Sequence, residues 1–393
     1  FYTAPISTPT RAGLMTGRYP NRFGIRTTVI PPWREDGLDE NEETLADMLA
    51  RNGYSNRAII GKWHLGHTRK VHYPINRGFS HFYGHLNGAI DYFDHMREGE
   101  LDWHNDWETC YDKGYSTELI TQEAVRCINT YEKEGPFLLY VAYNAPHTPL
   151  QAQEKDIELY CDDFGSLTPK EQKRVTYQAM VSCMDRGIGT IVDALKKKGI
   201  MDNTFLIFFS DNGPAGVPGS SSGKLRGRKF DEWDGGVRVP AVFYWKRAES
   251  NYKNLSSQVT GFVDIVPTLK ELVGDKNRPE RAYDGISILP LLIGSTSCID
   301  RNFYLGCGAV VNKDYKLIRK GRKPGLNLPQ DFLVDYQTDP YEKKNASNGN
   351  EQIVRSLYQV ALKYDTITPC LPEIPYGKGR EGFKAPVEWK VTR

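Results

Sequence analysis

The sequence predicts an α/β fold in which a mostly parallel sheet is flanked by helices on both faces. Strand-like apolar runs alternate with amphipathic helix-like segments through the first two thirds of the chain. The 393 residues, 39% hydrophobic and 25% charged, exceed what one simple module needs. We therefore expect a large domain over residues 1–300 and a small C-terminal α+β domain with an irregular tail over residues 301–393.

The individual elements are predicted from hydrophobic periodicity and from the Gly and Pro residues that end each run. Helices are predicted over residues 41–52, 117–134, 170–198 and 352–363. Strands are predicted over residues 55–60, 137–143, 204–209, 237–245, 303–305, 315–319 and 332–335. Polar motifs follow several of these strands. Because open parallel sheets bind ligands beyond the carboxyl ends of their strands, we expect the functional site there.

Charge and cysteine patterns narrow the class of protein. The net charge is only +2 and the charged residues are interspersed, so nucleic acid is not an expected partner. No apolar run approaches the roughly 18 residues of a membrane span. The first ten residues, FYTAPISTPT, lack the features of a signal peptide. The seven cysteines form no C-x-x-C pair, which argues against a zinc knuckle or redox motif.

One segment, STPTRAGLMTGR, carries the most chemistry and begins at Ser7. A Ser near a Pro, followed by a short helical stretch that ends at Gly17, places Ser7 at or just before a helix N-terminus. The helix dipole favours an anion at that position. Arg11, one turn later, would face the same way. Taken alone, the segment is more simply explained as a helix cap followed by a solvated arginine.

Three further motifs follow predicted strands. GKWHLG places Lys62 and His64 on one face of an extended segment, and APHTP holds His147 between two prolines. SDNG supplies Asp211 and Asn212, two hard oxygen side chains of the kind that a calcium or magnesium site requires. Each motif alone fits an ordinary turn or a surface residue. Four such loops at one edge of one sheet are much harder to explain by chance.

Together these residues resemble the type I sulfatase family of the alkaline phosphatase superfamily, and most closely its arylsulfatase B-like branch. The family signature is Cys or Ser followed by x-Pro and an Arg, and then by Thr-Gly-Arg. It stands here as residues 7–18. Further similar motifs are GKWHLG, APHTP, SDNG, LRGRK followed by DGG, and VDIVPTL. The resemblance extends from Ser7 to roughly Lys344.

The resemblance implies a role for each matched residue. Ser7 would be oxidised by a maturation enzyme to formylglycine, whose hydrate attacks sulfur. Arg11 and Lys62 would stabilise that residue and the sulfate charge. His64 would help remove the hydrate proton as sulfate is expelled. Fixed cations around a highly charged transition state are also what the chemistry requires.

The remaining matched residues complete the implied site. His147 and Lys229 would hold the sulfate oxygens and help to protonate the leaving alcohol. Asp211 and Asn212 would bind one calcium ion, which polarises the sulfuryl group. Family members carry two further aspartate ligands on a strand before the signature, so we expect the chain to be truncated and those ligands to lie upstream of residue 1. The family also implies a periplasmic, secreted or lysosome-like compartment.

The sequence therefore predicts a hydrolase of sulfate esters, acting on a sulfated carbohydrate through a formylglycine hydrate at Ser7. Ser7 stands where Cys is commoner, although some bacterial members use Ser. Two alternatives stay open. One is a phosphate ester hydrolase of the same superfamily. The other is a catalytically inactive relative that binds anionic glycans, as the missing aspartates and an unmodified Ser7 would suggest.

Residues 91–111 form an aromatic and polar segment without helical periodicity. A sugar ring offers an apolar face and hydroxyl groups at its edge, which suits aromatic rings with polar neighbours. We expect Trp103, His104 and Trp107 to contact the substrate sugar. An insertion that merely packs on the domain surface is the alternative.

Overall fold

The computed structural model describes residues 1–248, 258–306, 308–321 and 328–391. Within these ranges, the α-helices are α1 (Ser7–Thr16), α2 (Leu45–Arg51), α3 (Ser116–Thr130), α4 (Glu154–Ile157), α5 (Pro169–Lys198), α6 (Asp234–Val237), α7 (Ile265–Leu272), α8 (Leu289–Leu292) and α9 (Glu351–Asp365). None of these described helices combines the length and the apolar character that crossing a membrane would require.

Strands in the same described residues range from two-residue edge pairs to a seven-residue central strand. They are β1 (Asn56–Lys62), β2 (His81–His85), β3 (Met96–Arg97), β4 (Glu100–Leu101), β5 (His104–Asn105), β6 (Glu108–Thr109), β7 (Phe137–Ala142), β8 (Leu206–Phe209), β9 (Ala241–Tyr244), β10 (Phe303–Gly306), β11 (Ala309–Val311), β12 (Tyr315–Ile318) and β13 (Phe332–Asp335).

The chain divides into two compact units that are each built from several segments. The first unit comprises Phe1–Val29, Phe205–Gly216 and Ser221–Pro375. The second unit comprises Ile30–Thr204, Val217–Ser220 and Tyr376–Arg393. The domain boundary expected near residue 300 does not coincide with this division and stays a prediction.

The second unit is organised around a five-stranded mixed sheet with the order β6-β5-β2-β1-β7. Strand β1 pairs in parallel with β2 on one side and β7 on the other, so its residues 58–60 are completely buried. Strands β5 and β6 extend the edge in antiparallel fashion. Helix α3 packs on this sheet through apolar residues spaced four apart, Ile120, Ala124 and Ile128.

Helix α5 is the longest helix of the second unit and shows why these boundaries follow from sequence. Thr168 and Glu171 form a reciprocal capping box at its start, next to Pro169 in the first turn. Its last turn contains three lysines, which the helix dipole favours at a C-terminus. Gly199 then ends the helix in a left-handed conformation.

The first unit contains helix α1, the antiparallel pair β8-β9 and a four-stranded antiparallel sheet, β10-β11-β12-β13. Helix α9 covers this C-terminal sheet and contributes Leu357 and Ala361 to its core. Large buried side chains from the strands, including Phe303, Leu317 and Leu333, complete that core.

The α/β class and the small C-terminal α+β region are confirmed, with a sheet that is mixed. The strand predicted over residues 237–245 is wrong in its first part, since Asp234–Val237 is a helical turn and β9 begins only at Ala241. The buried Asp234 carboxylate accepts a hydrogen bond from Lys316 at 2.9 Å, which fixes the turn through a contact distant in sequence. Strands β2 to β6 and strand β11 were not predicted.

Candidate functional site

Helix α1 places Ser7 at its first residue. Ile6 is the residue before the helix, and it lies in an extended conformation. The helix ends at Gly17, whose positive φ of 68° lets its N–H donate to the Gly13 carbonyl at 2.8 Å. All ten helical residues are buried. Ser7 therefore lies in a water-poor environment at the positive end of a helix dipole, as an anion-binding position requires.

Two residues at the end of β8 contact this helix within the first unit. The Ser7 hydroxyl donates to Asn212 Oδ1 at 3.3 Å. Arg11 donates to Asp211 Oδ2 through Nε at 3.1 Å and Nη2 at 3.0 Å. The SDNG motif thus brings two hard oxygen side chains to Ser7 and Arg11, and the predicted juxtaposition of these four residues is observed.

Lys229 belongs to the same unit and interacts electrostatically with Asp211 and Arg11. Its backbone N–H donates to the Pro214 carbonyl at 2.8 Å, which fixes the basic loop that follows β8. Burial lowers the pKa of the Lys229 ammonium, Asp211 opposes that effect, and the charge of Arg11 adds to it. An ammonium group with a lowered pKa is a better proton donor than an ordinary lysine.

In the second unit, Lys62 ends strand β1 and His64 follows two residues later. After β1 the chain runs beside the end of β2. The Trp63 N–H donates to the His85 carbonyl and the His64 N–H donates to the Leu86 carbonyl, both at 3.0 Å. His64 has a φ of 62°, which is uncommon for a residue other than glycine. Both Lys62 and His64 are buried.

Asp102 holds the backbone of the segment after β2, to which His64 is hydrogen-bonded. The sequence did not reveal this role. Its carboxylate accepts the backbone N–H groups of Leu86 and Asn87, each at 2.9 Å. His104 Nε2 lies 3.0 Å from Asp102 Oδ1. Burial works against the charged carboxylate, but these hydrogen bonds and the charge of His104 hold the pKa of Asp102 well below its usual range.

His147 lies in the loop after β7 and is half-buried. Its N–H donates to the Asn144 carbonyl at 2.9 Å, and its own carbonyl accepts the Tyr92 hydroxyl at 2.8 Å. Its Nδ1 lies 2.7 Å from the Thr148 carbonyl, so Nε2 is the ring nitrogen directed away from the loop backbone. Since β1 and β7 are parallel neighbours, Lys62 and the His147 loop lie at the carboxyl ends of adjacent strands.

The three residues expected to contact a sugar have different environments. Trp103 is completely buried and stacks on His95 with ring centroids 4.5 Å apart. His104 is also buried, against Asp102. Trp107 is 42% exposed and stacks on Tyr73 at 4.4 Å. The burial of Trp103 and His104 favours packing roles, whereas Trp107 is partly open to solvent.

The oxygen atoms at the end of β8 suit calcium in type. Asp211 supplies a carboxylate that is partly exposed and Asn212 supplies an amide carbonyl. Calcium prefers about 6 to 8 oxygen ligands, so these two account for only part of a complete shell. Asp211 is engaged by Arg11, which here serves as its counter-charge.

The fold and these residues define an α/β protein in which a buried helix N-terminus lies beside the Asp211 and Asn212 side chains that follow β8. The sulfatase family model matches residues 1–275. Mouse arylsulfatase J is 35% identical over 298 residues, which are 73% of this chain and 48% of that protein. Human N-acetylgalactosamine-6-sulfatase is 31% identical over 317 residues, 75% of this chain and 58% of that protein. The chain belongs to the sulfatase family, and it spans about half the length of these curated relatives.

Solved structures show the same fold. The structure of Ps i-CgsB in complex with k-i-k-neocarrahexaose has a TM-score of 0.80 and 28% identity, and the match covers 95% of this chain and 86% of that chain. BT4656 in complex with D-glucosamine-2-N,6-O-disulfate has a TM-score of 0.66 and 18% identity, with 94% and 90% covered. The second similarity concerns the fold alone.

Proposed function

We propose that the protein hydrolyses sulfate esters of a carbohydrate, with the nucleophile derived from Ser7. The observation that carries this proposal is the position of Ser7, buried at the N-terminus of α1 and 3.3 Å from Asn212 Oδ1. Formylglycine at this position supplies, when formed, the hydrate oxygen that attacks sulfur. A maturation enzyme that oxidises Ser7 is therefore an expected partner.

The residues of the first unit bind and orient the reacting group. Arg11 and the helix terminus attract the sulfate anion, and Asp211 holds Arg11 in place through its two hydrogen bonds. Asp211 and Asn212 would also hold one calcium ion, which supplies Lewis-acid polarisation of a sulfuryl oxygen when bound. Lys229, with its lowered pKa, suits proton donation to the leaving alcohol.

The second unit contributes Lys62, His64 and His147 to the proposal. Lys62 would offset negative charge that develops on the sulfate oxygens. His64 would accept a proton at the nucleophile, and His147 would direct Nε2 toward a sulfate oxygen or the leaving group. Their support is the family membership together with their positions at or just after the carboxyl ends of β1 and β7.

The names of the relatives support a glycan substrate, since N-acetylgalactosamine-6-sulfatase is among them and Ps i-CgsB was solved with an oligosaccharide. The exposed ring of Trp107 would then contact the sugar. A periplasmic, secreted or lysosome-like location fits such a substrate.

Parallel assays of the complete, matured protein on sulfate and phosphate esters of the same alcohol test the proposal. We expect the sulfate ester to be strongly preferred. Replacement of Lys62, His147 or Lys229 by Ala should lower turnover by about 10²- to 10³-fold. Preference for the phosphate ester would assign the protein to phosphate chemistry. Absence of turnover on both would favour a glycan-binding relative.

A further inference from the structure

A cluster of three metal-ligating side chains lies in the second unit, at the end of the sheet where β2 begins. It is formed by His81, Glu123 and Cys127, whose ligand atoms all lie within 4.8 Å of one another. In the part of the chain that the structure describes, this is the only such group of three His, Cys, Asp or Glu residues. None of the three belongs to the proposed sulfate site.

The geometry of the cluster follows from its two elements. Glu123 and Cys127 are separated by one turn of α3, so both point to the same side of the helix. Cys127 Sγ lies 3.8 Å from Glu123 Oε1. His81, the first residue of β2, approaches from the sheet and places Nε2 at 2.6 Å from the same carboxylate oxygen.

Asp106 gives His81 the support that metal-ligating histidines usually have. His81 Nδ1 lies 2.9 Å from Asp106 Oδ1, which also accepts the Phe82 N–H at 2.9 Å. A carboxylate that holds one ring nitrogen fixes the orientation of the ring and leaves the other nitrogen directed at a ligand. Here that other nitrogen, Nε2, points into the cluster.

Arg126 is a positively charged residue that lies next to this cluster. It contacts Glu123 through Nε to Oε2 at 2.7 Å and Nη2 to Oε1 at 2.5 Å, and Nη2 is 3.9 Å from Cys127 Sγ. Its side chain is 55% exposed, so it can swing into solvent when another cation neutralises Glu123.

We propose that His81, Glu123 and Cys127 bind a divalent transition-metal ion of the zinc class, with Asp106 orienting His81. Zinc takes imidazole, carboxylate and thiolate ligands at about 2.0 to 2.3 Å, and four ligands are usual, so water completes the shell. The ion replaces the hydrogen bond between His81 and Glu123, which separate by roughly 1 Å to admit it. On binding, the thiol proton of Cys127 and the Nε2 proton that His81 donates to Glu123 both pass to solvent. The ion links β2 to α3.

Titration of the full chain with Zn²⁺ in a calorimeter tests this site, after chelation and in excess calcium. We expect one zinc ion per chain and a melting temperature that rises with zinc, because the ion binds the folded state. Co²⁺ should give a thiolate-to-metal charge-transfer band in the near ultraviolet. Asp106→Asn should weaken binding about 10- to 100-fold.

Matched variants distinguish zinc bound at this cluster from zinc bound elsewhere on the chain. His81→Ala and Cys127→Ser should abolish stoichiometric binding, and Cys127→Ser should also remove the cobalt band. Cys183→Ser, at another buried free thiol, should leave both unchanged. Arg126→Gln, a change on the surface, should tighten binding because it removes the competing cation. No zinc binding by the parent, or binding that is unaffected by His81→Ala and Arg126→Gln, would overturn the proposal.

Discussion

Gly88 lies directly against the imidazole ring of His64. A Cβ atom at position 88 would come within 2.4 Å of His64 Cε1, closer than side chains can approach. His64 itself has a φ of 62°. The His64 ring therefore occupies space that is open only because residue 88 is a glycine.

Gly88→Ala should displace the His64 ring and lower kcat by about 10²-fold, since a misplacement of 1 Å can cost that much. The effect on KM should be small if His64 acts on the nucleophile and not on substrate binding. Gly189→Ala, at a helical position with no atom within 4 Å of the added Cβ, is the control and should retain full activity. Equal activity in both variants would remove His64 from the mechanism.

Lys229 gives a prediction about pH. Because its pKa is lowered in the folded protein, its positive charge is lost as the pH rises through a value below the ordinary lysine pKa of about 10.4. Activity that depends on this charge should decline on the alkaline side. In Lys229→Arg the decline should move to higher pH, even if the maximum rate falls, because Arg stays protonated. Lys224→Arg on the same loop should leave the profile unchanged. An identical alkaline decline in Lys229→Arg would contradict this role.

Much of this site could be predicted from the sequence because its residues stand in short motifs at strand ends. Ser7, Arg11, Asp211 and Asn212 were identified in this way, and the structure shows them in contact. The supporting residues were not, because their roles arise from contacts between distant segments. Gly88 has no local signal that predicts its contact with His64.

The same distinction holds for the fold. Long elements such as α3, α5 and β7 carry clear periodicity and were predicted to within a few residues. The pairs β3-β4 and β5-β6 have strands of two residues, which are too short to show alternation. The helical turn at α6 depends on Lys316, which pairs with Asp234 from 82 positions further along the chain.

Asp102 provides a prediction about stability. A carboxylate with a lowered folded-state pKa stabilises the protein above its unfolded pKa of about 3.9, and this contribution is lost as the pH falls toward the folded value. Asp102→Asn should lower the free energy of unfolding at pH 7 by about 3 kcal/mol, since it breaks a buried charged network. Urea unfolding should show a smaller difference below about pH 4. The exposed Asp94→Asn is the control, and a loss that is independent of pH would refute the charge argument.

Variants of Trp107 and Trp103 should distinguish a residue that contacts the substrate from one that packs in the core. Trp107→Ala should raise KM for a glycan sulfate far more than for a small aryl sulfate, which lacks the sugar. Trp103→Ala should lower stability by about 3 to 5 kcal/mol, because it removes a completely buried ring. Kinetics on both substrates, together with thermal unfolding, distinguish the two effects. Equal KM changes on both substrates in Trp107→Ala would indicate that residues 91–111 have a packing role and do not contact the sugar.

The central claim is that Ser7 provides the nucleophile after conversion to formylglycine, and the mass of the tryptic peptide that ends at Arg11 tests it most directly. The protein should be isolated from the organism that makes it, with the same sample assayed on a sulfate ester. The account predicts that this peptide has lost two hydrogen atoms at Ser7, as in conversion to formylglycine, and that turnover scales with the converted fraction. Full sulfatase activity in a sample whose Ser7 is entirely unmodified would contradict it.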